Sequence, residues 1–212
     1  MTQIVDSPAL VDERLQHLGL RADWLLGSVL EGDAGASSAT ALHPPGDAGF
    51  RRWADTVAAL RTRLLPQGWD MSNTANYCTV FNRTTRTAVV VMAGDLFTGT
   101  RLGTPKSRYP KGAATQARIL VNVGQASLFP SLKSPDEIVE EDCVTFALVQ
   151  FPTEAGIQAE LSRPSSMSAS GYVNAWRERI LLPTVHPGGH HPEKNVDDTP
   201  DAPDIDFAVT PR

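Results

Sequence analysis

Cysteine, charge and aromatic residues are all scarce in this chain, and each scarcity excludes something. Two cysteines in 212 residues cannot staple a disulfide-built mini-fold or furnish a four-cysteine zinc module. No apolar run approaches the roughly 20 residues that a membrane helix needs. The longest, 88–93, suits a buried strand. The N-terminus lacks a basic region followed by an unbroken apolar stretch, so no secretory signal is expected and the compartment reads as cytoplasmic. Cys78 and Cys143 each fall in a β-like apolar segment, where reduced, buried thiols are expected. A disulfide between them would require adjacent strands.

Motifs that carry chemistry are also few. A Gly-x-x-x-x-Gly-Lys-Ser/Thr phosphate loop is absent, because Lys111 precedes Gly112 and Ala113 follows. There is no dinucleotide fingerprint, no His-Glu-x-x-His and no Gly-x-Ser-x-Gly elbow. Which cofactor, if any, the protein uses is left open by the sequence.

What is present is enough for a fold. Apolar residues make up 41% of the chain against 20% charged, which supports a core and excludes wholesale disorder. Ser7-Pro8 is a helix start, with Val11, Leu15 and Leu18 on one face and Gly19 as the stop. A second, short helix through Trp24, Leu25 and Val29 is expected to end near Gly32. A flexible loop is then expected over 31–46, which is rich in Gly, Ala, Ser and Pro. Asp47 is a candidate N-cap for the strongest helix. Its stripe is Phe50, Trp53, Val57, Leu60 and Leu64, and Pro66 and Gly68 end it.

The period then changes. Segments 77–81 and 87–92 read as a β-hairpin. Residues 113–123 fit a helix or a strand, with helix favoured on a stripe of Ala113, Ala117, Leu120, Val121 and Gly124. Ser134-Pro135-Asp136-Glu137 matches a capping box. Residues 143–151 read as a strand, and 156–162 as another. Residues 173–182 are ambiguous between helix and strand. Helices first and strands afterwards predict an α+β fold, with N-terminal helices packed on a mostly antiparallel sheet. One domain is expected over 1–182. The segment 183–212 is expected to be an irregular, Pro-rich acidic tail. Within 193–212 six acids face two bases, so this tail carries −4 of the total −5.

The most informative stretch is the long Gly-rich loop 94–112. Five cations and no acids lie in 101–118. Arg101, Lys106, Arg108, Tyr109, Lys111 and Gly112 are the candidate ligand residues. If Ala113 opens a helix, its free N–H groups point back into this loop, and together they form an anion site. A phosphate-bearing ligand or nucleic acid is the expected guest. The alternative is a solvated loop whose charges serve solubility.

Asp95 closes the hairpin's second strand, where catalytic carboxylates often stand. With Glu137, Glu140, Glu141 and Asp142 it could hold Mg²⁺ in a metal-dependent hydrolase of nucleotides or nucleic acid. The alternative for Asp95 is a turn cap. His186, His190 and His191 are candidate metal ligands, but Pro187, Gly188 and Gly189 deny them a helical i, i+4 geometry. The acidic tail could meet a protein partner or fold back on the basic loop. A third possibility is an interaction module with no small ligand. No motif marks a named family. The phrases TPKSRYPKGAAT and ELSRPSSMSASGYVNAWRERILLP resemble in texture bacterial proteins of mobile elements and defence systems, which assigns no residue a role. A non-enzymatic binding or accessory protein is the leading expectation.

Overall fold

The computed structural model describes residues 2–124 and 142–187. The element order is β1 (Gln3–Val5), α1 (Pro8–His17), α2 (Ala22–Ser37), α3 (Asp47–Leu64), β2 (Asp70–Ser72), β3 (Thr79–Asn82), β4 (Thr87–Ala93), α4 (Ala113–Asn122), β5 (Val144–Thr153), β6 (Gly156–Met167) and β7 (Val173–Leu181). The capping box at 134–137 and most of the acidic tail lie outside the described residues, as do Glu137, Glu140, Glu141, His190 and His191. Among the described residues, no helix is long and apolar enough to cross a membrane.

The α+β expectation holds, but the sheet is mixed. Its seven strands run in the order β1-β7-β6-β5-β4-β3-β2. Four neighbouring pairs are antiparallel, while β4–β5 and β1–β7 are parallel. The parallel β4–β5 pair needs a long crossover, and the 94–143 connection with α4 inside it supplies one. Three-residue β1 and β2 are too short to show a period, so neither registers in the sequence pattern.

The sheet separates two cores. On one face α1, α2 and α3 bury Leu15, Leu25, Val29, Leu60 and Leu64 against Val89, Phe146, Leu148, Leu161 and Ile180. On the other, Ile119 of α4 packs with Val90, Met92, Ala147, Val149, Val173 and Trp176. Strand alternation accounts for the division: Val89 and Val91 face the first core, Val90 and Met92 the second.

Several expectations need correction. Helix α2 runs to Ser37 rather than ending near Gly32. Its glycines serve packing, not termination. A Cβ at Gly32 would stand 1.9 Å from Thr56 Oγ1, and one at Gly35 would stand 1.8 Å from Asp55 Oδ2. Helix α3 sits that close. The N-cap of α3 is Gly46, and Asp47 instead pairs with Arg51 one turn on. Phe50, placed on the buried stripe, is 64% exposed.

Residues 113–122 are helical, but the buried face is Thr115, Arg118, Ile119 and Asn122. The apolar stripe of Ala113, Ala117 and Leu120 is turned outward or toward a cleft. Asn122 explains the reversal. Its Nδ2 donates to the carbonyls of Thr145 (2.8 Å) and Pro164 (3.0 Å), and its Oδ1 accepts from Thr145 N–H (2.8 Å). Pro164 has no N–H to offer Thr145 across the β5–β6 ladder, so the buried amide takes that place.

Residues 173–181 form a strand. The register steps from Arg163↔Glu178 to Pro164↔Trp176, which leaves Arg177 as an extra residue. This bulge moves Trp176 to the second core while Ile180 stays in the first. A four-residue apolar spacing thus arises inside a strand, and imitates a helix.

Candidate functional site

The long 94–112 loop is packed down along half its length. Asp95 Oδ1 accepts the Phe97 N–H (3.1 Å) and Oδ2 accepts the Lys106 N–H (3.1 Å), so this carboxylate caps the turn. Beneath the loop, Glu160 and Arg179 form a buried ion pair on the second face of β6 and β7. Arg179 donates to the carbonyls of Phe97, Thr100 and Gly103. Glu160 Oε2 accepts the Gly99 N–H at 2.8 Å. Trp176 Nε1 donates to the Pro105 carbonyl at 2.7 Å.

Gly99 and Gly103 have φ of +70° and +72°. They bring backbone against the protein itself: a Cβ at Gly99 would press on the Ala159 backbone, and one at Gly103 on the Phe97 ring. Around Gly112 a Cβ would meet nothing within 4 Å. Gly112, unlike Gly99 and Gly103, has open space beside it.

The six candidate ligand residues are therefore dispersed. Arg101 pairs with Asp6, and Lys106 is exposed on the outer part of the loop. The other four lie beyond Ser107, where the chain runs along the edge of β4. There Arg108 N–H donates to the Ala93 carbonyl (2.9 Å), and Lys111 N–H to the Gly171 carbonyl (2.8 Å).

This edge is open because β3 pairs with β4 only from Thr79↔Val90 onward. Val91 and Met92 lie past the last pair and line a cleft of about 470 Å³. Tyr77 and Cys78 form one wall. Lys111, Gly112 and the first helical residues Ala113 and Ala114 form another, and Trp53 closes one end. Cys78 is consequently half-buried rather than in a strand, while Cys143 is buried; the two are not joined by a disulfide. Arg118 Cζ lies over the Tyr77 ring, 6.0 Å from its centroid.

The electrostatics of this cleft favour an anion. Among the described residues, none that lines it is acidic. Burial pushes the Lys111 ammonium below its ordinary pKa, because a charge removed from water without a counter-ion is disfavoured. The first turn of α4, whose N-cap Gly112 places no side chain over it, opens on the same space. Thr115 N–H is bonded to the Gly112 carbonyl (3.1 Å), which leaves the Ala113 and Ala114 N–H groups and the helix dipole to attract negative charge.

A second, smaller cleft of about 50 Å³ adjoins it at the carboxyl ends of the parallel strands β4 and β5. Gly49, Arg52, Trp53, Gly94, Arg108, Tyr109 and Gln150 line it. Arg52 Nη2 donates to Asp33 (2.8 Å), while its buried Nε makes no hydrogen bond among the described residues. Gln150 Nε2 donates to Thr56 Oγ1 (3.0 Å), which fixes the floor. Arg108 Cζ stands 5.8 Å from the Tyr109 ring centroid.

Trp53 packs in part against the first core, as its place on the α3 stripe indicates, and its remaining surface lines both clefts. Tyr77 and Arg52 escape sequence reasoning, since neither belongs to a motif. The run of charge in 101–111 draws attention to the right segment but not to its partners from α3 and the 74–78 turn. Among the described residues no group of three His, Cys, Asp or Glu side chains could hold a metal ion. His186 is exposed, and Asp142 pairs with Arg86. Comparison with protein-family models, curated proteins and solved structures finds no match to this chain.

Proposed function

We propose that this protein binds a phosphate-bearing ligand in the cleft between Tyr77 and the start of α4, without chemical turnover. One observation carries this reading: a half-buried lysine and an uncovered helix N-terminus line one cleft to which the described residues contribute no acid. Lys111 supplies the charge, the α4 N–H groups supply directional donors, and Tyr77 and Trp53 supply flat apolar surface for an attached ring. An ammonium with no carboxylate beside it among the described residues gains most from an anion that arrives as ligand, since the pair then forms where water is already partly excluded.

Titration calorimetry with inorganic phosphate and with a nucleoside monophosphate tests the reading. Both are expected to bind, the nucleotide more tightly because its base covers an aromatic side chain. Lys111→Gln should weaken both by about tenfold, the scale of one charge-assisted hydrogen bond. Binding that is absent, or indifferent to Lys111→Gln, overturns it.

A further inference from the structure

We propose that the ligand is a single strand of nucleic acid, running from the Lys111 cleft across Trp53 into the Arg52–Arg108 cleft. This rests on the phosphate reading of the Lys111 cleft and extends it to a second site of the same chemistry. The chain itself joins the two: Arg108 and Tyr109 line the smaller cleft, and Pro110, Lys111 and Gly112 line the larger one. Trp53 belongs to both and stands where they meet.

Along this path cations and aromatics are interleaved. Lys111 and Tyr77 lie in one cleft, Trp53 at the junction, and Arg52, Arg108 and Tyr109 in the other. Among the described residues no acid lines either cleft, and Asp33 holds Arg52 from behind through one Nη. That is the composition by which proteins hold unpaired strands: cations follow the backbone while aromatic faces take the bases in turn. A free nucleotide would occupy one cleft and make no contact with the guanidinium groups that line the other. The smaller cleft, at about 50 Å³, presents Arg52 and Arg108 together, and suits the next phosphate. The buried Arg52 Nε, with no hydrogen bond among the described residues, is a donor such a phosphate would satisfy. A duplex is disfavoured because its bases are already stacked and paired, and so cannot cover Tyr77, Trp53 or Tyr109.

Fluorescence anisotropy on the full chain distinguishes this inference from the reading beneath it. The probes are a short mixed-sequence single-stranded oligonucleotide, the same sequence as a duplex, and a nucleoside monophosphate as competitor. The single strand is expected to bind about tenfold or more tighter than the monophosphate and than the duplex. Arg108→Ala removes an exposed side chain and should fold normally. It should weaken the oligonucleotide several-fold, leave the monophosphate unchanged, and flatten the slope of log K against log salt by about 0.7, the share of one phosphate on a single strand. Arg52→Gln should act the same way, with folding checked by circular dichroism because Asp33 loses its partner. An oligonucleotide no tighter than the monophosphate overturns the inference and leaves the simpler reading standing. So does an unchanged salt slope in Arg108→Ala, or equal binding of duplex. If Lys111→Gln affects none of the probes, the simpler reading fails and the strand path fails with it.

Discussion

Arg179 and Glu160 meet inside the second face of the sheet, Nη2 to Oε2 at 2.6 Å and Nε to Oε1 at 3.0 Å, with both side chains all but inaccessible to water. Burying two charges costs several kcal/mol each unless the geometry is good and the leftover donors and acceptors are also satisfied. Here they are. Arg179 gives its other N–H groups to the carbonyls of Phe97, Thr100 and Gly103, and Glu160 takes the Ser162 hydroxyl and the Gly99 N–H. The pair therefore ties the 97–103 segment to the sheet, and with Asp95 it sets where the chain emerges at Arg108.

Removing one partner should be far more damaging than an average substitution. Glu160→Gln or Arg179→Met is expected to cost about 3–5 kcal/mol, because the remaining charge stays buried and unpaired. Urea unfolding checks this through a lowered midpoint. Arg179→Lys should recover little, since one ammonium cannot reach two carboxylate oxygens and three carbonyls in the guanidinium's planar fork. Hydrogen exchange should show Gly99 N–H losing protection in each variant.

Gly32→Ala gives a result opposite to helix propensity. In an exposed helix interior the change should stabilise by about 1 kcal/mol. Here the new Cβ would lie 1.9 Å from Thr56 Oγ1 and 2.5 Å from the Arg52 carbonyl oxygen, and backbone cannot swing aside. Helices α2 and α3 must separate, with a loss of about 1–3 kcal/mol typical of overpacking. Thermal unfolding of the variant measures it. Because Arg52 and Trp53 ride on the displaced α3, ligand affinity should fall as well.

The same contact shows where the sequence is legible and where it is not. Helices α1 and α3, the β3–β4 hairpin and β5 announce themselves because their apolar residues repeat with one period and end at Gly, Pro or turn residues. Helix α2 does not, because a glycine that permits helix contact is indistinguishable in sequence from a glycine that ends a helix. Strand β7 is hidden by the Arg177 bulge, and α4's buried face by polar residues whose partners are distant in sequence. The Glu160–Arg179 pair did leave a trace. Glu160 sits between Ala159 and Leu161, and Arg179 beside Ile180. Two opposite charges interrupting apolar strands point to one buried pair. For the clefts, 101–111 is visible as a basic segment, but which of its cations face a cavity depends on α3 and the short reach of β3, which no local pattern encodes.

Asn122 is expected to be irreplaceable by its isosteres. Asn122→Asp puts a carboxylate where two carbonyls need a donor, and Asn122→Leu leaves the Thr145 N–H without its acceptor. Each should cost about 1–3 kcal/mol, the penalty for a buried polar group that loses its partner. Chemical denaturation gives the size, and the Asp variant should recover part of its loss at low pH, where the protonated carboxyl can donate. The site's charge is untouched by this change, so the effect on ligand binding should be small compared with the effect on folding.

Lys111 should confer a specific pH dependence. Burial lowers its pKa in the folded chain below the 10.5 of an exposed lysine. Between the lowered value and 10.5 the unfolded chain holds more protons, so stability rises with pH across that window. Below the lowered value both states are charged, and the burial cost is present in full. An anionic ligand reverses the preference, since it stabilises the ammonium and draws the pKa back up. Ligand affinity should therefore be greatest below the lowered value and fall as pH rises through it, approaching about tenfold per pH unit for one required proton. A nucleoside monophosphate is the suitable probe, because its second phosphate ionisation near pH ~6 is complete throughout this range and the ligand's own charge stays fixed. Lys111→Arg holds its charge to well above the window, so its affinity should be level where that of the parent protein declines. A decline of equal steepness in both would assign the pH dependence to another group.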